Sequence, residues 1–309
     1  MELKKETIRL TVAVMFALIF IVLMVFFPRS PTIHGYGIAG TLDFNYHFDM
    51  NLYKENISQF FQHLWMEKSL GGTRFQFTTA EEEILRYYPK SLLVISIAFI
   101  TSLCLGIWKG IYDYRNLHTR KNIIGNGTTW VFQSIPDFFL VILFFWISFY
   151  FLPHGEIFSN NNWYSFAAPA LLASIYPMMY VARLTNVSLL NQDGQDYIRT
   201  AFSKGNSSSQ VIKRHIMKNS LADIISHLPT IIIVIISNLL MIEYLTGFEG
   251  AANRLFVALG GRQSSISTGM SGSIEAELVL GLVLCFMLTV LFVHILKLFL
   301  LAKFIKKGG

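Results

Sequence analysis

Charge is scarce in this chain. Asp, Glu, Lys and Arg make up 14% of its 309 residues, against 53% hydrophobic. An ordinary soluble domain carries about 25% charged residues, so that class is excluded. Cysteine is scarcer still: Cys104 and Cys285 both fall inside apolar runs, which rules out a disulfide scaffold. The patterns of common chemistries are missing too. No Gly-x-x-x-x-Gly-Lys-Ser/Thr phosphate loop occurs, and "GNGTTW" at Gly125 lacks the Lys and the helix-opening context. There is no two-histidine metal pattern, no paired carboxylates at catalytic spacing and no nucleophile with a base, and His215 and His294 stand singly. A membrane-embedded enzyme is therefore not supported by these residues.

What the chain has is long apolar runs and a mean hydropathy of +0.49. Crossing the hydrocarbon core takes about 20 mostly apolar residues, and windows of that length recur. They fall near 9–27, 90–111, 128–152, 164–186, 225–246 and 277–301. The expected fold is all-α, a polytopic bundle of about six transmembrane helices. The first run follows Lys4, Lys5 and Arg9 as a secretory signal would, but it continues to Phe27 and ends in Pro28-Arg29-Ser30-Pro31 without a small-x-small cleavage pattern. Residues 1–27 read as an uncleaved anchor.

The formal net charge of +6 takes its meaning from position. Lys4, Lys5 and Arg9, then Lys109, Arg115, Arg120 and Lys121, then Arg199, Lys204, Lys213, Arg214 and Lys218, and finally Lys303, Lys306 and Lys307 lie on one set of connecting segments. Asp43, Asp49, Glu55, Glu67, Glu81, Glu82, Glu83 and Glu156 lie on the other. The basic set is expected in the cytoplasm, with both termini inside. This charge serves topology, and a nucleic-acid partner is not indicated. Residues 28–88 form an external insert, leaving 89–309 as the membrane core. In the insert, Thr79-x-x-Glu82 predicts a capping box opening a short helix, "AEEEILRYY", that runs up to Pro89. The insert is either a solvated connector kept outside by its acids or a docking or gating element.

Residues 190–220 form the most polar interruption of the core. Asp193 and Asp196 suit a helix N-terminus. At 100° per residue, Tyr197, Ile198, Ala201 and Phe202 share one arc, while Asp196, Arg199, Thr200, Ser203 and Lys204 share the other. Gly205 and the following Asn206-Ser207-Ser208-Ser209 supply a stop and a turn, after which "QVIKRHIMKN" leads into the fifth span. Such a helix can rest on its own bundle at the lipid headgroups, or offer a face to another protein's groove. Within the spans, Asp137, Asp223 and Glu243, with His227 beyond Asp223, are the ionisable candidates. Asp137 follows Pro136, so it is expected to face protein or water. Glu243, near the external end of the fifth span, is placed to pair with Arg254 or line an outer gate. For both, a structural role and a pathway role stay open.

"RTAFSKG" followed by "VIKRHIMKNSL" resembles the cytoplasmic signature of ABC-transporter permeases of the oligopeptide and dipeptide uptake class. The wider family's pattern is Glu-Ala-Ala, three residues, then Gly; here those positions hold Arg199, Thr200, Ala201 and Gly205. "SLGGTRF" with "EEEILRYYPKSLLVISIAF", "QSIPDFFLVILFF" and "IEYLTGFEGAANRLFVALGGR" extend the resemblance along most of the chain. Departures are Glu249-Gly250 for Pro-Gly, Arg262-Gln263 for Arg-Asp, and a longer Ser/Gly-rich stretch, "SSISTGMSGS". The resemblance implies a permease that forms half of a membrane pathway. Its partners would be a second homologous permease, two cytoplasmic ATPase subunits that bind ATP and Mg, and an external substrate-binding protein meeting the 28–88 insert and the 247–275 loop. No cofactor would be bound by this chain. Asp196, Tyr197, Ile198, Arg199, Thr200, Ala201, Phe202, Lys204 and Gly205 would form the coupling segment, with Phe202, Ile198 and Tyr197 as packing anchors in an ATPase cleft. The resemblance implies a bacterial cytoplasmic membrane and import of short peptides, with nickel complexes or other small solutes as the alternative. A secondary transporter or channel is the remaining competitor; a secondary transporter would need its own coupling-ion site and commonly shows internal repeats or broken helices, and no repeat is read here, although Pro136, Pro169 and Pro177 are placed to kink spans.

Overall fold

The computed structural model describes residues 2–27, 32–36, 42–45, 48–73, 78–117, 119–151, 164–193, 195–205, 207–211, 216–260 and 274–306. Glu156, Lys213, Arg214, His215 and the 264–273 Ser/Gly-rich stretch thus lie outside the described residues, as does the side chain of Phe202. The chain divides into two compact units, Met1–Arg86 with Val257–Leu284, and Tyr87–Phe256 with Cys285–Gly309.

In the first unit, α1 (Glu2–Val25) is followed by an antiparallel pair, β1 (Thr32–Tyr36) and β2 (Leu42–Asn45), and by α2 (Met50–Met66). Asp49 starts α2 by accepting the N–H groups of Asn51 at 2.8 Å and Leu52 at 3.4 Å, as an N-cap should. Phe60 of α2 packs on Phe26 with ring centroids 4.8 Å apart and the rings tilted by 39°, and Leu280 completes the buried cluster. Tyr53 donates its hydroxyl to the Leu23 carbonyl at 2.7 Å. The insert's helix α2 is therefore packed on the end of α1, with Leu280 in the same cluster.

The capping box at Thr79 is present: Thr79 N–H donates to Glu82 at 3.3 Å, and Glu82 N–H donates to the Thr79 hydroxyl at 3.4 Å. The helix it opens does not stop before Pro89. It continues as α3 (Ala80–Arg115), 36 residues with Pro89 inside, so the insert's last residues are the first turns of the second span. The neighbouring acids have tasks of their own. Glu81 accepts from the Leu70 N–H and from the Ser69 hydroxyl, and Glu83, buried, accepts from Thr78 at 3.2 Å and Thr73 at 3.4 Å. They pin the 69–79 turn to the helix start.

In the second unit, a π-helical turn (Ile123–Gly127) leads into α4 (Thr128–Ser134), and α5 covers Asp137–Phe151. The third span, expected as one helix near 128–152 with Pro136 able to kink it, is broken: the two pieces meet at 106°. Pro136 explains the break. It lacks an N–H and drives the residue before it out of the helical region, and Ile135 is extended at φ −94°, ψ 132°. Next come α6 (Ala167–Gln192), α7 (Asp196–Ser203), α8 (Ser208–Val211), α9 (Met217–Ser226), α10 (Leu228–Thr246), α11 (Ala251–Ala258) and α12 (Ala276–Lys306). Four of these helices, α3, α6, α10 and α12, are each long and apolar enough to cross a membrane, and the bent α4–α5 pair supplies a fifth candidate. The helix at the place expected for the first span is α1, apolar over Thr11–Val25.

The centre of this unit is α6, on which α4, α5, α9 and α10 pack. Helix α3 approaches it through Gly106 and Gly110. A Cβ at Gly106 would stand 2.6 Å from Val181 Cβ, and one at Gly110 would stand 2.5 Å from Thr185 Cβ and 2.6 Å from the Ala182 carbonyl. Small residues four apart let membrane helices close to backbone contact, and "GIWKG" is that device here.

Candidate functional site

The polar turn at 190–220 has the helix that its pattern predicts, starting slightly later. Asp193 is not its N-cap; it ends α6, with φ −66° and ψ 140°. Gln195 opens α7, accepting the N–H groups of Ile198 at 2.9 Å and Arg199 at 3.2 Å through its carbonyl. Ile198 and Ala201 are buried against Leu189, Val211 and Ile216, with Ile111 and Tyr114 of α3 packed on the same cluster. Ile198, which the resemblance offers as a packing anchor, is buried in its own bundle. The amphipathic arc predicted this burial in general, but pattern alone does not say whose core the arc joins. Asp196, Tyr197, Arg199, Thr200, Ser203 and Lys204 remain exposed. Tyr197 is held by a 2.7 Å bond from its hydroxyl to Gln192.

Gly205 ends the turn at φ +79°, with open space where a side chain would go. Its requirement is therefore conformational, since only the backbone strains if another residue is placed there. Ser207 then starts α8 by a reciprocal box, its N–H donating to Gln210 at 3.0 Å and its hydroxyl accepting the Gln210 N–H at 3.4 Å.

The C-terminal part of α3, whose Ile111 and Tyr114 pack on this turn, carries a network that sequence reasoning did not identify. Lys109 donates to Asp113 at 3.0 Å and to the Gly125 carbonyl at 3.0 Å, and the Thr129 hydroxyl donates to Asp113 at 2.8 Å. Asp113 is 1% exposed. The "GNGTTW" segment thus wraps a buried ion pair. Lys and Asp four apart on one helix were the available signal.

The two acids proposed for the pathway have different settings. Asp137 caps its own helix by accepting the Phe138 N–H at 2.9 Å, and its second oxygen accepts from the Asn238 amide of α10 at 3.0 Å. Glu243 is fully buried. Its carboxylate accepts from the Ser91 hydroxyl of α3 and from the backbone N–H groups of Ala252 and Asn253, the latter at 2.9 Å. Ser91 in turn accepts the Ala251 N–H at 2.6 Å. Two side chains from two other helices therefore satisfy the first three N–H groups of α11, a cap supplied from a distance. Gly250 makes room for the arrangement, because a Cβ there would overlap the Glu243 carboxylate. Asp223 and His227 both tie α9 to α6, through Ser188 at 2.6 Å and Tyr180 at 3.0 Å.

One polar face of α6 was also missed. From Pro177 onward its buried residues, Val181, Ala182, Thr185, Ser188 and Leu189 among them, lie away from one stripe of the helix. On that stripe Tyr176 and Tyr180 are half-buried, and Arg183 and Val187 are exposed. Arg183 donates to Gln133 of α4 at 2.7 Å, and Gln133 donates to the Met179 carbonyl at 3.0 Å.

A helical membrane protein with a polar helix–glycine–helix turn on a packed bundle, and with its polar side chains tied between helices, is the class that these features define. Residues 102–306 match the family described as binding-protein-dependent transport system inner membrane component, and the chain belongs to that family. It is similar to the dipeptide transport system permease protein DppB of Bacillus subtilis, 27% identical over 272 residues, covering 80% of this chain and 82% of that protein. It is also similar to the oligopeptide transport system permease protein OppB of Haemophilus influenzae, 26% identical over 219 residues, covering 69% and 70%. Among solved structures, an inward-facing conformation of the MetNI methionine ABC transporter superposes with a TM-score of 0.57 over 72% of this chain and 97% of that one. At 11% identity this last likeness concerns the fold.

Proposed function

We propose that this chain is the permease subunit of an ATP-driven importer of short peptides in a bacterial cytoplasmic membrane, with both termini in the cytoplasm. Family membership and the peptide permeases among its relatives support the substrate class. The chain forms half of the pathway and pairs with a second, homologous permease. Two cytoplasmic ATPase subunits bind ATP and Mg, and an external binding protein delivers the solute.

The observation that carries the coupling role is the division of α7. Its inner residues, Ile198 and Ala201, are locked into the bundle core, while Tyr197, Arg199, Thr200, Ser203 and Lys204 face outward. A force applied to the outer face passes into α6 and α3 through the buried cluster with Leu189 and Ile111. ATP binding shifts the access equilibrium only by contacting one state better than the other, and α7 is where this chain presents such contacts. Asp137 and Glu243 act as positioning groups: Asp137 joins α5 to α10, and Glu243 sets the start of α11 at the exit of α10.

The test is expression with the neighbouring transporter genes, mild solubilisation, and identification of what co-purifies. Wild type is expected to retain an ATPase and a second permease. Tyr197→Asp with Lys204→Glu is expected to lose the ATPase and keep the second permease. Retention of the ATPase by the double variant removes α7 as its handle.

A further inference from the structure

We propose that the Tyr176, Tyr180, Arg183 and Val187 face of α6 lines the water-filled route, and that Arg183 there receives the terminal carboxylate of the peptide. The second half of this inference rests on the peptide reading above; the first half does not.

The four residues are separated by four, three and four positions, which places them on one stripe of a helix. That stripe is the side of α6 left open by the bundle, whereas Ala182, Thr185, Ser188 and Leu189 face inward. Arg183 lies sixteen residues after Ala167, about 24 Å along the helix at 1.5 Å per residue. That is three residues before the end of the span expected at 186, where a cation also suits the interface, so its tether decides the placement. Snorkelling to a headgroup is opposed by its tether, because the guanidinium is bonded to Gln133, itself anchored on the Met179 carbonyl. The stripe also carries two phenols, of which Tyr180 is oriented by His227 at 3.0 Å.

The chemistry selects the ligand. A guanidinium has five N–H donors in a planar fork, and the bond to Gln133 engages one of them. The remaining donors match a carboxylate in bidentate fashion. A short peptide carries one carboxylate at its end whatever its side chains, so a single cation on the route recognises the class without reading the sequence.

The test uses the assembled transporter in lipid nanodiscs, with Cys104→Ser and Cys285→Ser as background. Arg183→Cys, Tyr180→Cys and Val187→Cys are compared with Phe292→Cys and Ile295→Cys of α12, using a cationic methanethiosulfonate reagent. The α6 cysteines are expected to react on the order of tenfold faster or more, since a charged reagent is disfavoured in hydrocarbon. Reaction of the three α6 cysteines as slowly as the α12 pair, as when lipid or the second permease covers the stripe, overturns the placement. If Arg183→Cys fails to assemble, the rates at Tyr180→Cys and Val187→Cys decide the placement by the same criterion.

For the ligand, uptake of a dipeptide with a free carboxylate is compared with its C-terminal amide. Arg183→Gln is expected to raise the KM for the free acid at least about tenfold while moving that of the amide little, and Arg183→Lys is expected to restore part of the difference. An equal effect on both substrates overturns the carboxylate assignment. A wild-type complex that carries neither overturns the peptide reading, and with it the carboxylate assignment, while the cysteine rates still decide the placement.

Discussion

Two open stripes in the same unit of the molecule have the same geometry and opposite chemistry. On α12, Leu288, Phe292, Ile295 and Phe299 are all exposed and are spaced four, three and four apart. On α6 the same spacing carries Tyr176, Tyr180, Arg183 and Val187. Each is the uncovered side of a helix long and apolar enough to span a membrane. Exposure alone does not distinguish a lipid-facing surface from a watery one. The composition of the stripe does, because hydrocarbon tolerates the first set and penalises the second.

The largest effect is expected from moving the chemistry of one stripe to the other. Phe292→Arg, near the middle of α12, is expected to cost about 2.5–3.5 kcal/mol of insertion free energy. Tyr176→Arg on α6, well inside the span expected over 164–186, is expected to change little. Yield of membrane-inserted protein measures both, and equal losses would break the comparison.

A smaller effect tests the buried side of α6. Gly110→Val places a branched side chain against Thr185 and the Ala182 carbonyl, and is expected to destabilise by about 1–3 kcal/mol. The apparent melting temperature in detergent reports it; an unchanged value would mean that α3 and α6 are not in backbone contact. Glu243→Ala sharpens the contrast differently, since it removes an intramembrane acid that belongs to neither stripe. Loss of the remote cap on α11 is expected to cost about 1–2 kcal/mol by the same measurement, and uptake should fall only in step with stability. A steep loss of uptake at unchanged stability would instead place Glu243 on the route. The smallest effect is that of Gly205→Val, about 1 kcal/mol from forcing a branched residue to positive φ, read by the same melting assay. An unchanged value would show that the turn relaxes out of the left-handed region.

Much of this was legible in the sequence. The six apolar runs correspond to helices, the Thr79–Glu82 box forms, and Gly205 takes the left-handed conformation. The departures have physical causes. Pro136 turned one expected span into two helices, because it acts on the residue before it as well as on its own N–H. Pro89 did not stop α3, so a proline alone does not mark a boundary. Amphipathicity located α7 but could not say that Ile198 and Ala201 belong to its own core, because a periodic arc does not name its partner. Arg183 escaped notice because it sits three residues from the expected end of its span at 186, where a cation reads as an interfacial anchor. The tyrosines at three and seven positions before it were the signal. The Lys109–Asp113 pair was hidden by the charge count, which took Lys109 for topology.

The most direct test of the central claim is uptake of a labelled dipeptide by proteoliposomes containing the complex, with and without ATP on the cytoplasmic side and the binding protein on the other. Uptake is expected only when both are present, and it should stop when the ATPases are inactivated. Uptake that follows an ion gradient without ATP would contradict the account and make this chain a secondary carrier.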